Sequence, residues 1–180
     1  MQKIITKIKN KVCMNRFWYL LVMMSTLIII DQMTKGIVQT KFYLGETLPI
    51  IEGFFNLTYV RNTGAAWGFG QGFKDFLRIS LFLVLPVGVC GYLFFWLIKT
   101  IKGPWHISLA LGLILAGAVG NLIDRFSLKY VVDFLDFYYG SSHFPAFNVA
   151  DSCITVGAIL LFIEYGFIEP KRLKKNATKS

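Results

Sequence analysis

The chain has 180 residues, of which 55% are hydrophobic and 16% charged, with a mean hydropathy of +0.56. Soluble domains carry about 25% charged residues, so this composition excludes an ordinary soluble domain and points to the membrane. The formal net charge is +9, yet the cations are not interleaved with aromatic stacking positions, so no nucleic-acid partner is expected.

Four apolar segments are long enough to cross a bilayer, at about residues 17–35, 79–98, 107–124 and 151–168. Lys3, Lys7, Lys9, Lys11 and Arg16 precede the first, which imitates the start of a secretory signal peptide. Ile30-Asp31-Gln32-Met33 follows where a small-residue cleavage site would stand, so a retained span is expected. Asp31 and Lys35 lie four apart, on one helical face. A simple ion pair would explain them, although an anion at the C-terminal end of the predicted helix opposes its dipole.

The connection over about residues 40–75 reads as β structure. Phe54-Phe55-Asn56-Leu57-Thr58-Tyr59-Val60 is rich in strand formers, and Gly45, Gly53, Gly64, Gly68, Gly70 and Gly72 supply turns. A small antiparallel sheet on the membrane surface is expected, with Trp67, Phe69 and Phe73 at the interface. Asn62-Thr63-Gly64-Ala65-Ala66 reads as a turn with polar atoms on that same side.

Pro86 interrupts the second span, and Lys99 and Lys102 lie in the short link to the third. In the third, Gly112, Ala116 and Gly120 form a row of small residues that lets a neighbouring helix approach. At its outer end Asn121, Asp124 and Arg125 are spaced i, i+3 and i+4 and project together. Capping and ion pairing would account for them; alternatively Arg125 presents a fork of donors to a substrate backbone.

Two further aspartates stand out. Asp133, in Val131-Val132-Asp133-Phe134, has apolar neighbours that leave little ordinary use for a carboxylate. Asp151, in Phe147-Asn148-Val149-Ala150-Asp151, opens the fourth span, where it could serve as a helix N-cap. A carboxylate at the edge of a bilayer is costly to keep. Two that meet at one site suggest a shared proton and an activated water, as in aspartic peptidases.

Charge asymmetry orients the spans. Twelve cations lie before the first span, in the link at Lys99 and Lys102, and in the basic tail over residues 170–180. The positive-inside rule makes that side, and both termini, cytoplasmic. Residues 40–75 and 124–151 then face outward, and with Asp31 at the outer end of the first span eight of the ten acids lie on that side. Cys13, Cys90 and Cys153 are scattered, so neither a disulfide nor a Cys/His metal site is expected. His106 and His143 read as isolated structural residues. The expected architecture is one all-α membrane domain, a four-transmembrane-helix bundle with a small antiparallel β-sheet in the first extracytoplasmic loop.

Five stretches together resemble a known family. They are Asp31-Gln32-Met33-Thr34-Lys35, Asn56 to Gly68, Gly120 to Arg125, Val131 to Phe134, and Phe147 to Asp151. In this order they resemble lipoprotein signal peptidase (signal peptidase II), a family of bacterial membrane aspartic peptidases. The resemblance implies a catalytic pair at Asp133 and Asp151. It implies substrate-binding or supporting roles for Asp31, Lys35, Asn56, Asn62, Gly64, Asn121, Asp124, Arg125 and Asn148. It also implies cleavage of diacylglyceryl-modified prolipoproteins just before the lipidated cysteine, in the bacterial inner membrane, with membrane lipid as surroundings. No metal or organic cofactor is expected, and globomycin-type inhibitors are expected to bind. Two other readings remain from the residues alone: a small proton-coupled transporter, and a non-catalytic lipoprotein-binding protein.

Overall fold

The computed structural model describes the backbone over residues 2–64 and 74–172, and side chains within those ranges from residue 14 on, except at positions 75 and 78. The expectations for Trp67, Phe69, Phe73, the turns at Gly68, Gly70 and Gly72, the side chain of Cys13, and the tail from residue 173 onward fall outside the described residues.

The chain begins with α1 (Gln2–Lys41), a helix of 40 residues. Asp31 therefore lies ten residues short of its end and not at a C-terminus, so the expected conflict with the helix dipole does not arise. Next come β1 (Thr47–Ile51) and β2 (Phe55–Asn62), then α2 (Asp75–Ile79), a π-helical segment (Ser80–Val84) and α3 (Leu85–Thr100). Pro86 sits in the first turn of α3. A proline ring clashes with the carbonyl four residues back, and the wider π turn over Ser80–Val84 occupies that stretch. The second span is thus locally rewound, not interrupted, at the proline.

After α4 (Trp105–Ser127), Lys129 adopts a left-handed conformation (φ 71°) that turns the chain into β3 (Val131–Tyr139). β4 (Ser142–His143) and α5 (Val149–Ile163) follow, and α5 continues through a second π segment (Glu164–Ile168). Four helical stretches are long and apolar enough to cross a membrane: Met14–Lys41, Ser80–Thr100, Trp105–Ser127 and Val149–Arg172. The third is 61% buried inside the protein over its most apolar window, whereas the others are 6–17% buried. So α4 is the central post, and the other three present apolar side chains outward, as a lipid solvent requires.

Glycines set the closeness of that packing. A Cβ on Gly117 would collide with the Ala150 carbonyl of α5, and one on Gly157 would come within 2.7 Å of the Ala110 carbonyl of α4. One turn further along α4, a Cβ at Gly120 would sit 2.7 Å from an Asp31 carboxylate oxygen. Two apolar clusters bracket the bundle. Leu20, Leu97, Ile101, Ile107, Leu111 and Leu115 join α1, α3 and α4. Val38, Tyr59, Val132 and Phe134 seal the end of α1 against β2 and β3.

The sheet has the order β1-β2-β3-β4, antiparallel throughout. Only its first two strands come from the loop in which a sheet was expected. β3 and β4 come from the connection between α4 and α5, so the sheet joins these two connections and carries Asp133. The β2–β3 register shifts between Leu57 and Val60, where Thr58 and Tyr59 of β2 stand opposite Phe134 alone. Such a bulge interrupts strand alternation and re-aims side chains.

Candidate active site

Asp133 lies on β3, opposite Val60, and its side chain is 2% exposed. Asp151 lies in the first turn of α5. Asn148 brings them together. It is the N-cap of α5: its Oδ1 accepts from the Asp151 backbone N–H at 2.9 Å, and its own N–H donates to Asp151 Oδ2 at 3.3 Å. Asp151 is thus the third residue of a reciprocal capping box, not the cap, and its carboxyl is fixed by the start of the helix. The Asn148 amide nitrogen donates to Asp133 Oδ1 at 2.7 Å. One wholly buried side chain therefore sets the position of both carboxyls.

Other amides complete the shell. Asn62 donates to Asp133 Oδ2 at 2.9 Å, and Asn121 donates to Asp151 Oδ1 at 2.7 Å. Asn62 Oδ1 accepts the Gly64 N–H at 3.0 Å, which tightens the turn after β2. Burial, and then the charge of Asp151, push the Asp133 carboxyl up to about 7. Among the described residues no cation lies within ion-pair distance of either carboxyl. Arg125 instead donates to the carbonyls of Gly64 (3.2 Å) and Asn121 (3.4 Å), strapping α4 to the turn.

Asp31, Lys35 and Asp124 form a separate buried cluster beneath this layer. Lys35 pairs with Asp31 at 2.8 Å and Asp124 at 3.0 Å, and donates to Asn121 Oδ1 at 3.0 Å. Each acid also holds backbone: Asp31 accepts from Ala150 N at 2.8 Å, and Asp124 from Val132 N at 3.1 Å. α1 and α4 thereby fix the first turn of α5 and the first strand residues before Asp133. Gln32, which sequence reasoning did not single out, donates to Asp31, Asp124 and the Gly120 carbonyl. Its signal was its place inside the Asp31–Lys35 motif.

Asn56 is not brought to this site. It sits opposite Asp136 in the sheet register and donates to Asp136 Oδ2 at 2.9 Å. Asp136 is three residues from Asp133, which places the two on opposite faces of β3. The two histidines read as isolated are also partnered: His143 with Asp136, and His106 with Glu164.

Asp133, Asp151, Asn62, Asn121 and Arg125 line one cavity of about 780 Å³. Its other walls are mostly apolar, from Pro86 on α3, Phe144 to Phe147, and Ile154 and Val156 on α5. Paired carboxyls on an apolar cleft can hold one proton between them, polarise a carbonyl and activate water. This is the layout of an aspartic peptidase built into a multi-pass membrane protein.

The comparisons with known proteins agree. A family model described as "Signal peptidase (SPase) II" matches residues 23–167. The chain is 44% identical over 137 residues to a lipoprotein signal peptidase of Syntrophus aciditrophicus (strain SB), covering 76% of this chain and 85% of that one. It is 45% identical over 155 residues to a lipoprotein signal peptidase of Shewanella loihica (strain ATCC BAA-1088 / PV-4), covering 86% and 88%. A bacterial membrane enzyme solved by the in meso method is similar in structure, with a TM-score of 0.73 at 34% identity, covering 90% and 92%. The chain belongs to the signal peptidase II family of membrane aspartic-type proteases.

Proposed function

We propose that this protein cuts diacylglyceryl-modified prolipoproteins just before the lipidated cysteine, with Asp133 and Asp151 as the catalytic pair. The observation that carries the reading is Asn148, whose one side chain donates to Asp133 and caps the helix turn holding Asp151. That joint attachment faces both carboxyls into an apolar-walled cavity. Asp133, raised to about 7, can both hold and release the shared proton close to neutral pH. The ionised member of the pair takes a proton from water, and the protonated member donates to the scissile carbonyl oxygen. The tetrahedral intermediate collapses as a proton passes to the leaving amine. Asn62, Asn121 and Asn148 hold the carboxyl oxygens, while Lys35, Asp31, Asp124 and Gln32 hold the backbone beneath them. The acyl chains of the substrate stay against the apolar wall, and globomycin-type inhibitors occupy the same cavity.

The cation asymmetry supports an inner-membrane orientation with cytoplasmic termini and the cavity on the extracytoplasmic side. Cysteine labelling at position 74 from outside, and at position 180 only after permeabilisation, is the expected pattern; outside labelling at 180 contradicts it. A transporter would need titratable groups through the membrane depth. Among the described residues the buried charged groups lie at the outer end, except Glu164. The direct test is purified protein in detergent with a diacylglyceryl-modified prolipoprotein, followed by gel shift. Equal cleavage of the unlipidated form would reject the lipid-reading part of the proposal.

A further inference from the structure

On the face of β3 away from Asp133, Asp136 gathers two partners. Its side chain is buried, at 7% exposure for the residue, and its two oxygens lie 2.9 and 3.0 Å from His143 Nδ1. Asn56 of β2 donates to the same carboxyl at 2.9 Å, and Asn56 is itself buried, at 5% exposure. The His143 ring lies flat against Tyr138, with centroids 5.0 Å apart and planes at 9°. The Tyr138 hydroxyl in turn accepts the Gly53 N–H at 2.8 Å, in the turn between β1 and β2. Three strands and a turn therefore converge on one imidazole.

Immediately beyond His143 the chain becomes a wall of the cavity. Gly140, with φ +59°, turns β3 into β4, and the chain then runs back along β3. Phe144 N donates to the Phe137 carbonyl at 2.8 Å, and Phe147 exchanges backbone hydrogen bonds with Leu135 at 2.8 and 3.1 Å. Phe144, Pro145, Ala146 and Phe147 all line the cavity that Asp133 and Asp151 share. Just one residue separates the His143–Asp136 contact from Pro145 at the cavity face. The aromatic rings of Phe144 and Phe147 touch edge to face, 5.8 Å apart, so a shift of one carries the other.

We propose that Asn56, Asp136 and His143 form a clasp that sets the position of the Phe144–Phe147 wall, and that His143 is thereby a positioning residue for capture of the lipidated substrate. The inference rests on the proposed function, since it takes the wall to be a surface that substrate touches. The clasp has no contact with either carboxyl of the pair. Loosening it widens or misaligns the wall and leaves the proton chemistry intact, so the effect falls on KM and not on kcat. It also gives Asn56 a role in positioning a cavity wall, away from the reacting atoms.

Three variants of the full-length protein separate the parts of the clasp. His143→Phe keeps a ring on Tyr138 and removes the donor, His143→Gln keeps an N–H for Asp136, and His143→Ala removes both. His143 is half exposed, so the loss is that of an exposed charge-assisted contact. KM for a diacylglyceryl-modified prolipoprotein should rise about two- to fivefold in His143→Phe and His143→Ala. It should return toward the parent in His143→Gln, with kcat unchanged within about twofold in all three. Hydrogen exchange gives a second readout that does not depend on cleavage: the Phe144 and Phe147 amides should exchange faster in His143→Ala, while those of α4 stay as in the parent. Unchanged KM together with unchanged exchange at those amides overturns the clasp, and leaves the proposed function standing if the parent cuts. A fall in kcat at constant KM also overturns it, by making His143 part of the chemistry. A parent that cuts no lipidated substrate, with the amides loosened as expected, refutes the proposed function and with it the capture role.

Discussion

Two pairs of aspartates lie at the same end of the bundle, and they are held in opposite ways. Asp31 and Asp124 share a single cation, Lys35, and all three side chains are 2–3% exposed. Asp133 and Asp151 receive neutral amides, from Asn62, Asn121 and Asn148. The first arrangement fixes charge in place and uses the spare oxygens to hold the backbone of Ala150 and Val132. The second leaves the acids, among the described residues, without a cation at ion-pair distance, which on the proposed reading makes the shared proton the counter-charge. Neutralised acids build the floor; acids that must share a proton are available for chemistry.

The largest effect that tests this contrast is loss of either shared-proton acid. Asp133→Asn and Asp151→Asn should each lower cleavage on the order of 10³-fold or more, the scale of general acid–base catalysis. The double variant should be little worse than either single one, because the two act as a unit. Asp124→Asn, on the floor, should cut more slowly than the parent and still measurably. Substantial cleavage by a well-folded Asp133→Asn or Asp151→Asn preparation, free of host enzyme, would dissolve the distinction.

The floor should answer in stability. Lys35→Met leaves two buried carboxyls without their cation, a loss of about 3–5 kcal/mol. For a chain of this length that corresponds to roughly 6–20 °C in Tm. Thermal unfolding in detergent reads it directly. A Lys35→Met protein that melts with the parent and cuts nothing would move Lys35 from the floor to the chemistry.

How much of this was legible beforehand depends on whether the signal was local. The spans follow from runs of apolar residues, and the strand character of Phe54–Val60 from its β formers. Asp133 and Asp151 announced themselves by apolar neighbours. The sequence motif supplied the rest of the amide shell. What could not be read was pairing across the chain. Val131–Tyr139 is as rich in β-branched and aromatic residues as β2, but its partner lies about seventy residues upstream, so the sheet was assigned to a single loop. Asn56 and Asn62 share a motif, which suggests a common site. The bulge between them and the register with Asp136 send Asn56 elsewhere. His143 looked solitary because its acceptor is seven residues back across a hairpin.

Proton sharing also fixes the sign of the pH dependence. Asp133 is raised to about 7, first by burial and then by Asp151. Activity that needs the shared proton should fall as pH rises through about 7, and fall again in acid as the second carboxyl protonates, giving a bell. For stability, a raised folded value means that the native state binds the proton more tightly than the unfolded chain, whose aspartates titrate near about 3.9. The contribution is fully present below about pH 4 and is lost as pH rises to about 7. The Tm of Asp133→Asn relative to the parent should therefore climb by about 3 °C or more between those limits, whatever its constant offset. That offset is unfavourable: Asn148 cannot turn its amide without giving up the cap on Asp151, so a new amide at 133 meets a donor on Asn148 or on Asn62. Parallel Tm–pH curves for variant and parent would show that Asp133 titrates normally.

The smallest expected effect, and the sharpest test of the contrast, is at Arg125. It is the cation in the cavity wall, yet its two hydrogen bonds go to the carbonyls of Gly64 and Asn121 and not to either acid of the pair. Lys35 pairs with its two carboxylates; Arg125 binds neither of the upper ones and spans a gap between α4 and the turn after β2. A planar fork is needed to reach two carbonyls in different directions, and an ammonium cannot hold both. Arg125→Lys keeps the positive charge near the pair, so the pH profile should keep its shape and its alkaline limb near about 7. Losing one arm should lower kcat/KM by about 5- to 10-fold, the weight of one ordinary hydrogen bond of about 1 kcal/mol net. The melting temperature should change by less than about 3 °C, because the strap is not part of the buried ion cluster. If Arg125→Lys shifts the alkaline limb and spares the rate, its charge, not its fork, is what the pair feels, and Arg125 belongs with Lys35 as a neutralising cation.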